Sequence, residues 1–412
     1  MKTDIYNYKN ISTEDYYYSL PSERIAKFPL AKRDQSKLLV YKNENIYHDR
    51  FFNITKFIEK DSLIVLNNTK VIQARLNFRK ETGAKIEIFC LEPYKPSDYE
   101  FCLNQTKKCE WKCTVGNLRK WKNEILLKTF SIENEDIKLS AKLLKRQTEY
   151  QIVEFSWKNE KISFAEILET LGETPIPPYL NRNAVENDKK NYQTIYSKPE
   201  GSVAAPTAGL HFTEPVFLGI SKKQIKIEEL TLHVGAGTFR PVKAKTIGEH
   251  EMHTETIFVS KKLINSLISK LGKIVAVGTT SLRTLETIYW LGVKIMDTNV
   301  FKECSFEISQ WESYNLPQNI ETNESLQTVV KYMETNGVET IECKTQIIIV
   351  PGYKFRIVNS LITNFHMPKS TLLLLIAAFI GNDWKKVYSN ALENDYRFLS
   401  YGDSSILIRG NF

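Results

Sequence analysis

Between Val71 and Trp157 the chain runs through KIEIFCL (85–91), YEFCL (99–103), CEWKCTV (109–115), EILLKTF (124–130), IKLSAKLL (137–144) and YQIVEFSW (150–157). Each segment is short, and alternates apolar with polar residues or is rich in aromatics; polar turns separate them. A period of two bounded by turn residues is the pattern of half-buried strands. Residues 71–157 are therefore expected to form an all-β module of about six strands, a small barrel. On either side the pattern changes. Apolar runs that read as strands, at Leu38–Tyr41, Ser62–Leu66, Lys273–Val277 and Gln346–Val350, together with IKIEEL (225–230), whose apolar and charged residues alternate as at a strand entry, are interspersed with helical patterns at Ser163–Leu171, Lys261–Leu271 and the buried run from Leu372. Strands interspersed with helices are the mark of an α/β domain. The expected fold class is α/β: a large mixed α/β, barrel-like domain from 1–70 and 158–412, with the β-barrel of 71–157 inserted. PSERIAKF (21–28) reads as a short helix opened by its proline. Phe301–Thr345 reads as a peripheral excursion.

Composition sets wide bounds. The chain has 412 residues, 42% hydrophobic and 25% charged, as a globular protein of two or three domains would. Lys and Arg number 56 against 48 acids, a net charge of +8 that permits a polyanionic partner without requiring one. The longest apolar run, Leu372–Ile380, is too short to span a bilayer. The N-terminus lacks the apolar core of a signal peptide. Cys102, Cys109 and Cys113 have neither zinc-site nor iron–sulfur spacing. They read as reduced and structural, in a cytoplasmic protein.

Chemistry concentrates in Pro199–Val242. Two loops there, APTAGLHF (205–212) and LHVGAGTF (232–239), each set a histidine beside glycine and threonine. His211 and His233 supply titratable rings, and Thr207 and Thr238 hydroxyls. Gly209, Gly235 and Gly237 allow positive φ and close approach of a ligand. The bland alternative is a pair of turns with hydrogen-bonded histidines. Asn67, Asn68, Thr69 and Lys70 follow an apolar strand directly, where α/β proteins place ligand contacts, although a simple turn would read the same. In GTTSLRTLE (278–286) a strand enters a helix through Thr279 and Thr280, so free amides can face a polar ligand. No lysine follows, so this is not a P-loop. Arg283 and Glu286 share a helix face and can pair. Asn364, His366 and Lys369 precede the helix of the Leu372 run, at its positive end, and Asp403 lies in a turn before the last strand. His250, His253 and Glu255 form H-x-x-H-x-E. Three ligands suffice for a catalytic zinc, but with this spacing and no further ligand the expectation is proton transfer or hydrogen bonding, and no metal. Trp111, Lys112, Arg119, Lys120, Trp121 and Lys122 mix basic and aromatic groups on one hairpin. Nucleic acid can bind such a surface by phosphate pairing and base stacking; a solvated hairpin with core tryptophans is the alternative.

Taken in order, the blocks LPSERIAKFPLAKRDQSKLLV, VLNNTKVIQARL, GAKIEIF, YQTIYS, GSVAAPTAGLHFTEP, TLHVGAGTFRPV, HEMHTE, VAVGTTSLRTLE, LITNFHMPKSTLLLLIAAF and YRFLSYGD resemble the S-adenosylmethionine:tRNA ribosyltransferase-isomerases of queuosine biosynthesis. They span nearly the whole chain. Lys70 and Gln73 depart from the family's usual Arg and Pro, and Lys70 keeps the charge but loses the bidentate fork. The resemblance implies transfer of the ribosyl part of S-adenosylmethionine onto 7-aminomethyl-7-deazaguanine in the anticodon of a GUN tRNA. Adenine and methionine leave, epoxyqueuosine-tRNA forms, and no cofactor is needed beyond the consumed S-adenosylmethionine. It also implies a large α/β domain with an inserted β-barrel. A monomer is expected.

That reaction needs a base beside the sulfonium, an acid for adenine and a neutral attacking amine. Histidine suits such transfers because its pKa lies near the working pH. His211 and His233 are the expected base and acid, in either order, followed by His253 and Glu255 as acceptors of the amine's proton. Thr207, Thr238, Thr279 and Thr280 would hold ribose or adenine, and Arg283 the methionine carboxylate bidentately. Thr69, Gly209, Gly235, Gly237, Asn364 and Lys369 would complete the substrate site, with Asn67, Asn68, His366 and Asp403 as further candidates. Lys112, Arg119 and Lys122 would contact tRNA. Two rivals remain at this stage. A methyltransferase would want a glycine-rich loop after its first strand, and that loop is missing here. A non-catalytic RNA-binding module would leave four histidine-bearing loops without a purpose.

Overall fold

The computed structural model describes residues 5–132, 135–235, 244–297 and 306–410. A mixed ten-stranded sheet forms the large domain. Its strand order is Glu307–Ile308, Thr340–Thr345, Glu255–Ser260, Lys226–Leu232, Leu63–Asn67, Ile274–Val277, Ser360–Asn364, Ser404–Ile408, Lys37–Lys42 and Asn45–Arg50. The four strands Lys226–Leu232, Leu63–Asn67, Ile274–Val277 and Ser360–Asn364 are mutually parallel. Leu63–Asn67 and Ile274–Val277, in the middle of the sheet, are near-continuously apolar because both of their faces are buried, whereas Lys226–Leu232 alternates. One face packs on the helices Lys261–Ser269, Gly278–Met296, Thr371–Ile380 and Asp383–Glu393. The other is covered by the 3₁₀ segment Phe51–Phe57 and the helix Glu214–Lys222.

Parallel strands bring their C-terminal ends to one edge, where ligands bind in open α/β sheets. Here those ends lead into His233, Asn68, Gly278 and Phe365. Glu255–Ser260 runs antiparallel to Lys226–Leu232, so its N-terminal end, with His253 and Glu255, reaches the same edge. Ser404–Ile408 is antiparallel to Ser360–Asn364 and brings Asp403 there too.

The second sheet is antiparallel, with order Arg75–Arg79, Lys85–Lys95, Lys108–Gly116, Gln151–Ser156, Glu135–Arg146 and Leu126–Ile132. Its two outer strands lie against each other, giving a nearly closed barrel. The fold class is thus the expected one, with two corrections inside it. YEFCL is a short helix, Tyr99–Leu103, because the Asp98 carboxylate caps it by accepting the Phe101 amide at 2.8 Å. The sixth strand is RLNFR (75–79), whose Leu76 and Phe78 point inward. The barrel's core also takes in Phe164, Ile167 and Leu168 of the helix Phe164–Leu171, which starts with a Ser163–Glu166 capping box.

Three expectations for the large domain are revised. PSERIAKF holds only a three-residue 3₁₀ turn, Ser22–Arg24. Gln346–Val350 carries no ladder, although Ile347 to Val350 are buried; the strand is Thr340–Thr345, with Ile341, Cys343 and Thr345 facing in. Phe301–Thr345 is not peripheral over its described part. It supplies two strands to the sheet edge and the helix Thr322–Thr335, whose Leu326, Val329 and Met333 sit at helical spacing in the main core.

Candidate active site

Four cavities ring the C-terminal edge of the parallel strands. The first, about 400 Å³, is lined by Thr207, Gly278, Thr279, Thr280, Asn364 and His366 among others. The second, about 460 Å³, holds His233, Gly235, His253 and Glu255 on one side. On its other side stand Glu92, Tyr99, Lys112 and Tyr150 of the barrel domain. A third, about 450 Å³, lies behind His233 and Tyr99. A fourth, about 280 Å³, contains His250, His253, Arg283 and Thr371. Pro178 lines the first and second; His253 and Thr254 the second and fourth; Ser370 and Leu372 the first and fourth. The cavities therefore adjoin one another around shared walls.

The first cavity is lined by the mouth of the helix Gly278–Met296. Gly278 has φ +85°, which lets the chain turn sharply from strand to helix. No side chain caps that end, and Thr280 Oγ1 is buried without a partner. Uncapped amides and an orphaned hydroxyl in a cavity suit hydrogen bonds to a polar ligand. His366 shares this cavity; its Nε2 lies 3.0 Å from Thr363 Oγ1, and burial pushes the ring down to about 3.

His211 does not share it. Its Nδ1 is 2.8 Å from Ser36 Oγ, its ring packs on Phe51, and it lines none of the four cavities. Burial pushes the ring down to about 4, against the opposing charge of Asp403. Its Nε2 and the Asn364 Oδ1 both lack a well-formed hydrogen bond, yet the amide is near enough to favour the protonated ring. His211 thus backs Asn364, which in turn faces the cavity.

His233 is held from behind. Thr69 Oγ1 is 3.0 Å from its Nδ1, the Tyr99 ring lies 4.6 Å from its own, and Gly201 sits beneath it. Burial brings it down to about 4, with Asp98 opposing. A Cβ on Gly201 would lie 2.6 Å from the imidazole, at a φ of +151° that side chains avoid. Gly201→Ala is expected to push His233 out of place and cut turnover at least about tenfold, the scale of a mispositioned catalytic group. A steady-state assay of the soluble variant checks this; wild-type kcat/KM would refute it.

His253 is more accessible than His211 or His233. The His253 side chain is 33% exposed, and its Nε2 lies 3.3 Å from Glu255 Oε1. That bond assigns the Nε2 proton toward Glu255 and leaves Nδ1 as the free base. Glu255 is buried, and its Oε2 accepts from Arg283 Nη1 at 2.6 Å. Burial alone would raise this carboxyl. The Arg283 charge and the His253 contact outweigh it and hold Glu255 at about 2. Arg283 therefore has one arm committed to Glu255 and its Nε committed to Ile347 O. It cannot grip a carboxylate with a full bidentate fork. Nor does it pair with Glu286, which accepts from Tyr353 Oη and the amides of Arg356, Ile357 and Val358. No trio of His, Cys, Asp or Glu among the described residues is arranged to hold a metal.

The remaining candidates divide. Asn67 staples Leu232 through both its backbone groups, and Asn68 pairs with Glu229 and Thr231. Asp403 accepts the Lys37 and Arg397 amides, and Lys369 pairs with Glu14. These side chains are occupied in holding the edge together. Gly209 has no positive φ; it is needed because a Cβ would lie 1.9 Å from the Tyr196 hydroxyl. Gly237 and Thr238 lie outside the described residues. In the barrel hairpin, Trp111 and Trp121 are fully buried and unavailable for base stacking. Lys112 pairs with Glu92 in the second cavity, while Arg119 and Lys122 are exposed. Lys70 pairs with Glu200 at 2.7 Å. Sequence reasoning passed over Gly201, Tyr99 and Glu92; only Gly201, beside the first histidine loop, carried a local cue.

The family model described as queuosine biosynthesis protein matches residues 13–407. The chain belongs to that family. A full-length relative of this queuosine-biosynthesis chain is the S-adenosylmethionine:tRNA ribosyltransferase-isomerase of Legionella pneumophila (strain Lens). It is 36% identical over 406 residues, covering 97% of this chain and 100% of the relative. A crystal structure of an S-adenosylmethionine tRNA ribosyltransferase from Thermotoga maritima matches with 28% identity, over 96% of this chain and 100% of that one, at a TM-score of 0.45.

Proposed function

We infer that the chain is an S-adenosylmethionine:tRNA ribosyltransferase-isomerase of queuosine biosynthesis. The observation that carries this is identity of 36% sustained over essentially the whole of both chains. The reaction moves the ribosyl part of S-adenosylmethionine onto the aminomethyl group of 7-aminomethyl-7-deazaguanine in tRNA. Adenine and methionine depart. The reading extends to a GUN-anticodon tRNA, a cytoplasmic monomer and no cofactor beyond the consumed S-adenosylmethionine.

In this reading the nucleoside occupies the first cavity, against Thr207, Thr279, Thr280, Asn364 and His366. The tRNA base enters the second, between the large domain and the barrel. His253, common to the second and fourth cavities, removes the proton beside the sulfonium, with Glu255 orienting it. His233 is neutral and accepts a hydrogen bond from the attacking amine, which enters already deprotonated. His211, enclosed behind Asn364, positions that amide. The test is incubation of purified protein with S-adenosylmethionine and tRNA bearing the aminomethyl base. Adenine and methionine should appear in equal amounts; S-adenosylhomocysteine in their place would mean methyl transfer and overturn the reading.

The tRNA contact is proposed for Arg119 and Lys122, with Lys112 turned to the cavity. Arg119→Ala/Lys122→Ala is expected to lower the slope of log affinity against log salt by about 1 to 2. An unchanged slope would remove the hairpin from the tRNA interface.

A further inference from the structure

Cavity four contains a charged group the mechanism above leaves idle. Arg283 is 5% exposed, and its Nη2 is buried with no hydrogen-bond partner. A guanidinium arm buried and unanswered is costly unless something completes it. The same cavity is lined by Thr371 and Leu372, the first two residues of the helix Thr371–Ile380. The Ser370 hydroxyl caps that helix by accepting the Leu373 amide, and Leu374 donates to Ser370 O. The Thr371 and Leu372 amides are left without an acceptor among the described residues, and the first turn carries no acidic side chain. Two free amides at a positive helix end, facing a cavity that also holds a free guanidinium arm, form a site for one carboxylate.

We propose that this cavity binds the α-carboxylate of the amino-acid half of S-adenosylmethionine, through Arg283 Nη2 and the amides of Thr371 and Leu372. The proposal rests on the reading of the first cavity as the nucleoside site. Ser370 and Leu372 line both cavities, so one ligand can span them with its sulfonium at their shared wall. His253 also lines this cavity, which sets the base near the carbons that the sulfonium acidifies. Glu149 and Glu251 line it as well, both exposed, and can face the α-ammonium. Arg283 then does two jobs with two arms: Nη1 fixes Glu255, which orients His253, and Nη2 fixes the substrate.

The experiment uses two ligands without tRNA. S-adenosylhomocysteine and 5′-methylthioadenosine share the nucleoside and thioether, but only the first carries the amino acid. Thr371→Pro deletes one amide at a helix position that accepts proline, since Ser370 before it is extended, with ψ 152°. Arg283→Lys keeps a cation for Glu255 but loses the free arm. By calorimetry, wild type should bind S-adenosylhomocysteine at least about tenfold more tightly than methylthioadenosine, as one charge-assisted hydrogen bond supplies. Each variant, with its fold checked by thermal unfolding, should lose most of that margin and keep its methylthioadenosine affinity. Equal weakening of both ligands, or no loss in either variant, would overturn the carboxylate site alone. In a separate titration with tRNA, variants that keep the full S-adenosylhomocysteine margin but bind tRNA more weakly would reassign the cavity to a phosphate and also overturn it. Failure of methylthioadenosine to bind wild type would instead bring down the nucleoside reading, and the proposal with it.

Discussion

His253→Ala is expected to lower adenine release by about two to four orders of magnitude, the contribution of a positioned general base. The argument is geometric. His253 has a more open side chain than His211 or His233, its Nε2 is tied to a buried carboxylate, and its ring borders two adjoining cavities. Removing it should leave the fold intact, because Glu255 keeps its Arg283 partner at 2.6 Å. Added imidazole should restore part of the rate. Glu255→Gln should behave differently: it strands the buried Arg283 charge and costs stability, about 3–5 kcal/mol, before it costs rate. His211→Ala should also act on stability, since its ring is enclosed between Ser36, Phe51 and Asn364. In folded protein its turnover should stay within about tenfold of wild type, the effect of a positioning residue. The measurement is adenine release under saturating S-adenosylmethionine, with soluble variants confirmed folded. If His253→Ala turns over normally, or folded His211→Ala loses as much as His253→Ala, the assignment fails.

The contrast between His211, which is enclosed, and His233, which lines a cavity, shows what the sequence could and could not tell. Both sit in loops that read alike, rich in glycine and threonine. Loop chemistry identifies the sheet edge, because a strand that ends in polar residues must deliver them to one side of a parallel sheet. It does not say which ring faces the cavity and which faces the core. That depends on Ser36 and Phe51, more than 150 residues away from His211 in the chain. Arg283 and Glu286 make the same point. Helical spacing put them on one face, but Glu255 and the 353–358 turn, contributed by other elements, took one each. The barrel was legible because period two is a local property. Its one misread segment, YEFCL, failed because Asp98 caps a helix there and a single cap outweighed an ambiguous five-residue pattern. The edge strand Thr340–Thr345 was missed although Ile341, Cys343 and Thr345 alternate cleanly, because charged residues between them made the whole stretch look peripheral.

Acidification from pH 8 to pH 5 is expected to destabilise the protein by several kcal/mol, through its buried imidazoles. His211 and His233 are pushed down to about 4, and His366 to about 3, chiefly by burial. In the unfolded chain all three return to about 6.5. A ring whose folded pKa is depressed is neutral in both states above pH 6.5, so its full stability is present there. As pH falls below 6.5 the unfolded chain takes up protons that the native state refuses, and stability is lost until the folded pKa is reached. At pH 5 the loss is roughly 2 kcal/mol for each ring, a large share of a typical domain's stability. Glu255 is held at about 2, so its own loss of stability begins only as the unfolded carboxylates titrate, below this window. Glu286 works in the opposite sense: burial raises it despite its hydrogen bonds, so its contribution is lost as pH rises, but it is one group against three. Urea midpoints at pH 8, 6.5 and 5 should therefore fall steeply, and unfolding near pH 5.5 should absorb between two and three protons. His366→Gln, which removes one titrating ring, should cut the pH dependence by about a third. A midpoint that stays level from pH 8 to pH 5 would mean that these rings already reach solvent in the folded protein. The closed environment assigned to His211, and with it the division of labour between His211 and His253, would then have to be abandoned.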